Sequence, residues 1–303
     1  MTGRRDKLTA QDRLPRAITP AGALLGESPV WDDRAERLLW VDLWGGTLHA
    51  TEPDTGDTKT VEVAPPLSAV VPTTRGTSVV TAGLCVLELT EEGPRHLVDI
   101  PEDGCLRAND AAVDPAGRLW IGTMCLPGRP GQPGGLWRLE PGDAAPERVL
   151  GDVALANGIA WSPAGDRMYF VDSLRQLVTA FPFNAPDGSL GVGERFVEVP
   201  REAGLPDGIA VAADGSVWVA LAGGGAVHRY GPDGGLEERL EMPVPHPTSC
   251  AFGGSQLGDL FVTSGCWPLP ADQRPDAAAQ GAGALFRAAT GVTGLPATRT
   301  ELG

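Results

Sequence analysis

The stretch Gly26-Glu27-Ser28-Pro29-Val30-Trp31 sets a pattern that returns along the chain: one polar residue, then a small or apolar run. With Glu27 as the leading position, Asn109-Asp110-Ala111-Ala112-Val113, Asn157-Gly158-Ile159-Ala160-Trp161 and Asp207-Gly208-Ile209-Ala210-Val211 repeat it. Eight residues after the leading position comes a turn glycine at Gly117, Gly165 and Gly215. Each turn introduces a second apolar run: Leu119-Trp120-Ile121-Gly122, Met168-Tyr169-Phe170-Val171 and Val217-Trp218-Val219-Ala220. Counting eight back from Gly76 gives Ser68, and Thr248-Ser249-Cys250-Ala251-Phe252 supplies a weaker copy. The six leading residues are thus Glu27, Ser68, Asn109, Asn157, Asp207 and Thr248, spaced 41, 41, 48, 50 and 41 residues apart. All are polar.

A repeat of roughly 40–50 residues, made of short strands and Gly/Pro/Asp turns, is the signature of a β-propeller. The chain is therefore expected to be all-β: a six-bladed propeller with four-stranded antiparallel blades around a central metal-binding channel. Residues 1–14 are expected to form a flexible N-terminus and 15–303 a single domain. Blades are expected to end near Pro53-Asp54-Thr55-Gly56, Gly93, Pro186-Asp187-Gly188 and Pro232-Asp233-Gly234-Gly235. Arg16 to Leu25 is expected to close the ring beside Thr293 to Leu302, which would remove free sheet edges.

Composition agrees. Gly (41) and Pro (28) are abundant, yet 42% of residues are hydrophobic, so the chain is turn-rich and able to fill a core. The net charge of −15, with Lys7 and Lys59 the only lysines, repels phosphate backbones and anionic lipid headgroups and favours a bound cation. Nucleic acid and membrane are not expected partners. Met1 to Asp12 contains no apolar run resembling a signal peptide, and no stretch approaches the ~20 apolar residues of a spanning helix. Five cysteines without CxxC spacing point to reduced thiols and a cytoplasmic location.

Equivalent positions on equivalent inner strands lie on a ring around the axis, so the leading residues are expected to converge on the channel. Glu27, Asn157 and Asp207 form an oxygen-only set that suits a hard divalent cation. Without an ion the two carboxylates would repel and one would tend to stay protonated. A bound ion can polarise a carbonyl and activate water. Asp207 is assigned as general base, although spacing alone does not separate it from Glu27. Arg107, two residues before Asn109, is expected at the channel mouth, where a guanidinium suits a hydroxylated or anionic substrate. The competing reading of Arg107 is a surface ion pair with Glu102 or Asp103. Asn109 is expected to contact substrate, or the metal through water; Asp110 supports the metal ligands or makes a turn. His246 could reach the same mouth, whereas His49, His96 and His228 carry no pattern, and Trp31, Trp161 and Trp218 read as core between blades.

These residues resemble the senescence-marker-protein/regucalcin/gluconolactonase family of six-bladed propellers, over roughly Gly22 to Phe286. The resemblance rests on Gly26–Trp31, Arg107-Ala108-Asn109-Asp110, Gly117–Met124, Ala156-Asn157-Gly158, Pro206-Asp207-Gly208 and Pro247–Gly254. It implies metal ligands at Glu27, Asn157 and Asp207, substrate contacts at Arg107 and Asn109, and Asp207 as base. It also implies hydrolysis of sugar lactones with one divalent ion. Ligand type favours calcium, while zinc, manganese, magnesium and iron serve in other members. One departure stands out: Pro127 occupies a place where some members carry a substrate-binding glutamate, which is expected to make that wall more apolar. The expectation is a metal-dependent lactonase, monomeric or weakly homo-oligomeric. A phosphotriesterase-like hydrolase on the same site and a non-catalytic calcium-binding regulator are the alternatives.

Overall fold

In a computed structural model, which describes residues 13–102, 104–126, 132–267 and 269–303, all six repeats become blades. Blade one is Gly26–Asp32, Arg37–Asp42, Thr47–Thr51 and Thr58–Glu62. Blade two is Leu67–Pro72, Ser78–Ala82, Cys85–Thr90 and Gly93–Asp99. Blade three is Leu106–Val113, Leu119–Cys125, Gly134–Leu139 and Glu147–Val153. Blade four is Ala156–Trp161, Arg167–Asp172, Leu177–Asn184 and Glu194–Glu198, with a short extra strand at Ser189–Leu190. Blade five is Leu205–Val211, Val217–Ala222, Ala226–Tyr230 and Leu236–Glu241. Blade six is Pro247–Gly253, Asp259–Ser264 and Phe286–Ala289, completed by Arg16–Ala17 from the other end of the chain. The first strand of each blade touches the first strand of the next, and the ring closes from blade six to blade one. The protein is a six-bladed β-propeller.

The burial gradient explains why these segments are strands. Second strands are covered on both faces by neighbouring blades and read as continuous apolar runs; in Val217–Ala222 the first five residues are buried. Outer strands face water. Thr58–Glu62 is exposed at every position, so its sequence carries no apolar alternation. That is why the blade ends differ from expectation: the Asp-Gly turns near residues 53–56, 186–188 and 232–235 precede each blade's outermost strands and do not end the blade. Aromatic residues fill the seams between blades. Trp31 stacks on Phe261 across blades one and six at 5.9 Å, and Trp120 meets Trp161 edge-on across blades three and four at 6.1 Å.

Closure also differs in its partner. Arg16 and Ala17 pair with Arg287 and Phe286, while the C-terminal stretch crosses beneath the channel. Ala213 donates its backbone N–H to the Thr293 carbonyl, Thr74 donates to the Thr300 carbonyl, and the Thr300 hydroxyl donates to the Gly117 carbonyl. Arg299 pairs with Asp32 and Asp33 of blade one. The segment thereby laces together turns from several blades and floors a cavity of about 570 Å³. Val30, Val71, Val113, Trp161, Val211 and Phe252 line that cavity, together with Leu295 and Pro296 of the C-terminal stretch and Asp110.

Candidate metal centre and channel mouth

Every inner strand carries one extra residue against its neighbour, and in every blade the irregularity falls at or beside the leading position. The register shifts lie between Glu27 and Val30, Leu67 and Ala69, Ala108 and Ala111, Ala156 and Ile159, Pro206 and Ile209, and Pro247 and Ser249. A bulge breaks the pleat and re-aims a side chain. In blade one the redirection places Ser28 at φ 50°, a left-handed conformation uncommon for a residue with a Cβ. Two glycines then let the strands converge. A Cβ on Gly158 would lie 2.8 Å from the Asp207 carbonyl, and one on Gly208 would lie 2.0 Å from the Ser249 hydroxyl. The Asn-Gly and Asp-Gly pairs of blades four and five are therefore packing requirements of the ring.

Four of the six leading residues meet in the channel. Asn109 donates from Nδ2 to Asn157 Oδ1 at 3.0 Å and to the Ala156 carbonyl at 2.7 Å. Arg107 donates from Nη1 to Asn109 Oδ1 at 2.6 Å. Asn157 donates from Nδ2 to the buried Ser173 hydroxyl at 2.9 Å, which fixes its amide with Oδ1 on the side of Asn109. Glu27 lies close enough to Asp207, Asp110 and Arg107 to feel their charges, and Asp207 to Asp110 and Arg107. Ser68 and Thr248 behave differently: Ser68 bonds Thr81, and Thr248 donates to the Gly26 carbonyl, so both hydroxyls are used within and between blades.

The backbone entering the ring is held by two further carboxylates at matching places. Asp42 accepts the N–H groups of Leu24 and Leu25 at 2.9 and 3.0 Å, just before Glu27. Asp172 accepts those of Ala154 and Leu155 at 2.9 and 3.1 Å, just before Asn157. Both sit at the end of their blade's second strand. This pairing is visible in the sequence only once the repeat is aligned.

Burial dominates the electrostatics. It pushes the Glu27 carboxyl well up, with Asp207 and then Asp110 adding repulsion and Arg107 opposing. Burial likewise raises Asp207, with Asp110 adding to it and Arg107 opposing. Asp110 is pushed up to about 6 by burial, against the Ala111 N–H it accepts. Arg107, only 4% exposed, is pulled down to about 10 by burial, against the attraction of Glu27 and Asp207. If ionised, the three carboxylates and one guanidinium leave two negative charges in excess in a place shielded from water. That excess, together with the oriented Asn157 amide, fits a hard divalent cation.

Arg107 is not a surface ion pair: no carboxylate lies within 4.0 Å of it among the described residues, and Glu102 instead accepts from Thr123 and Trp137. Its guanidinium lies over Trp44, 5.4 Å from the ring centre. Trp44 packs on Trp267 at 5.5 Å, and Arg274 lies over Trp267 at 5.2 Å. This Arg-Trp-Trp-Arg ladder joins the inner strand of blade three to the segments after the second strands of blades one and six. Neither tryptophan belongs to the repeat, so periodicity gave no signal for them. His246 is half-buried in the blade-six loop and its carbonyl accepts the Gly265 N–H. His49 stacks on Trp40, and His228 bonds Tyr230. Pro127 lies outside the described residues, as do Asp103 and residues 1–12.

The sequence profile described as SMP-30/Gluconolactonase/LRE-like region matches residues 25–266. The chain belongs to this family. It is 33% identical over 287 residues to pentonolactonase XacC of Haloferax volcanii, covering 94% of this chain and 97% of that protein. Regucalcin of Gallus gallus is 33% identical over 248 residues, covering 79% of this chain and 83% of the relative. Among solved structures, a calcium-binding regucalcin from Agrobacterium tumefaciens superposes with a TM-score of 0.87 at 25% identity, over 95% of this chain and 97% of that one.

Proposed function

We propose that this propeller is a metal-dependent lactonase that opens a sugar-derived (aldono-) lactone to its hydroxy acid. The observation that carries the reading is the gathering of three carboxylates, Glu27, Asp110 and Asp207, near a guanidinium that has no carboxylate within 4.0 Å among the described residues. A relative named pentonolactonase, and family membership, support the reaction class.

Glu27, Asn157 and Asp207 are the residues assigned to hold the divalent ion, calcium by donor type, with zinc, manganese, magnesium and iron as the other candidates. When bound, the ion supplies Lewis-acid polarisation of the lactone carbonyl. Asp207 is assigned to take a proton from the attacking water. As the new C–O bond forms and the ring C–O bond breaks, Asp207 returns that proton to the departing ring oxygen. Arg107 orients the substrate hydroxyls with the guanidinium edge not bonded to Asn109, and Asn109 keeps Arg107 and Asn157 in register. The reading also has the protein cytoplasmic, as a monomer or weak homo-oligomer; among the described residues no helix is long and apolar enough to cross a membrane.

The test is proton release on a panel of aldono-1,4- and 1,5-lactones, using chelator-stripped protein restored with each divalent ion in turn. Saturable turnover that disappears on stripping, returns with one ion and is lost in Asp207→Ala supports the reading. A metal-replete Asp207→Ala protein that remains active overturns the base assignment. Ion binding without turnover on any lactone would leave a calcium-binding role of the kind the regucalcin relatives are named for.

A further inference from the structure

Blade two carries a second group of donors on its two outermost strands, apart from the channel. Cys85 begins the third strand and stands directly opposite Asp99 at the end of the outer strand. His96 lies three residues before Asp99. In a regular strand, residues three apart point to opposite faces. Here Val86 pairs with Val98 but Leu87 pairs with His96, so Leu97 is an extra residue on the outer strand. That bulge turns His96 onto the face of Asp99 and Cys85. His96 Nε2 lies 2.8 Å and Cys85 Sγ 3.3 Å from the same oxygen, Asp99 Oδ1. Thiol, imidazole and carboxylate donor atoms all fall within 4.8 Å of one another, the only such grouping of Cys, His and carboxylate side chains among the described residues.

The dimensions suit an ion. Tetrahedral coordination with zinc–sulfur bonds of ~2.3 Å and zinc–nitrogen or –oxygen bonds of ~2.0–2.2 Å separates neighbouring ligand atoms by roughly 3.3–3.6 Å. His96 Nε2 and Asp99 Oδ1 would need to part by about 0.6 Å, and Cys85 Sγ and Asp99 Oδ1 by about 0.3 Å. His96 and Asp99 are exposed and Cys85 is half-exposed, so an ion can enter from solvent without dragging a charge into the core.

We propose that Cys85, His96 and Asp99 form a second metal site, for a borderline divalent cation such as zinc, with the fourth position left to water. Its donors differ in kind from the all-oxygen channel set, so the two sites select different ions: thiolate and imidazole favour zinc or cobalt over calcium and magnesium. Binding replaces the Cys85 S–H bond with a metal–sulfur bond, and the proton leaves to solvent. The site stands whether or not the channel performs the chemistry proposed above.

The experiment is a cobalt(II) titration of the chelator-stripped full chain, read by thiolate-to-cobalt charge-transfer absorption in the near ultraviolet. A band that saturates at one equivalent is expected. Zinc should abolish it, and excess calcium or magnesium should not. Cys85→Ser should remove the band, and His96→Ala and Asp99→Asn should each weaken binding by at least ~10-fold, with melting temperature held near that of the unaltered protein. No band in the unaltered protein, a band that survives in Cys85→Ser, or full affinity in both other variants would overturn the assignment.

Discussion

Arg107 is buried over the face of Trp44, with 5.4 Å between the guanidinium carbon and the ring centre, and no carboxylate pairs with it among the described residues. The aromatic face stabilises the cation without neutralising it, so the charge stays available to a ligand. A desolvated cation–π contact contributes about 2 kcal/mol. Trp44→Ala should therefore lower kcat/KM by about 10- to 30-fold, mainly through KM, while Trp44→Phe retains most activity. Steady-state kinetics on a lactone that the unaltered protein turns over checks this; an unchanged KM in Trp44→Ala would remove Trp44 from substrate positioning.

The Ser173 hydroxyl sets which end of the Asn157 amide faces the ring. Ser173→Ala leaves a buried Nδ2–H without its acceptor and frees the amide to rotate. Loss of a supporting hydrogen bond of this sort costs ~10–100-fold in metal affinity. Calorimetric titration with the activating ion should show about a 10-fold weaker Kd, with ion stoichiometry unchanged.

The channel carboxylates give the ion-free protein an inverted pH dependence. Their folded-state affinities for protons exceed those of the unfolded chain: Asp110 rises to about 6 from an unfolded value of ~3.9, and Glu27 and Asp207 rise well above theirs. The folded state thus binds more protons through this window, and its stability falls as pH rises from about 4 through 6 and above. Carboxylates held low by partners, such as Glu88 beside Arg95, lose their contribution as pH falls, below that window. Chelated protein should melt at a higher temperature near pH 5 than near pH 8, and the activating ion should restore stability at pH 8. Asp110→Asn should flatten the profile. A melting temperature that climbs from pH 5 to 8 without metal would contradict this reading of the channel.

Gly208 admits no side chain, since its Cβ would overlap Ser249. Gly208→Ala should destabilise the fold by ~1–3 kcal/mol through overpacking, measured by urea unfolding. Because the clash pushes blades five and six apart next to Asp207, metal affinity should fall further than the stability loss alone implies. Gly158→Ala should act alike, against the Asp207 carbonyl.

The six-fold repeat, the all-β class and the positions that enter the channel were legible in the chain, because a propeller writes its symmetry into sequence. Every blade has a buried second strand and an inner strand with a polar residue near its start, and four of the six have the turn glycine, so Glu27, Asn109, Asn157 and Asp207 stand out by period alone. What the period could not carry needed the folded chain. Outer strands such as Thr58–Glu62 face water and bear no pattern, so the blade ends were misplaced. Ser68 and Thr248 match the repeat, yet local hydrogen bonds turn them from the ion-binding set. Trp44 and Trp267 sit in loops outside the repeat; Trp44 meets Arg107, and Trp267 meets Trp44, only because the fold brings segments far apart in sequence together. Cys85, His96 and Asp99 converge only through a bulge at Leu97, and sequence spacing would have placed His96 and Asp99 on opposite faces. Periodicity determines where a backbone goes; bulges and contacts between loops far apart in sequence determine which side chains meet.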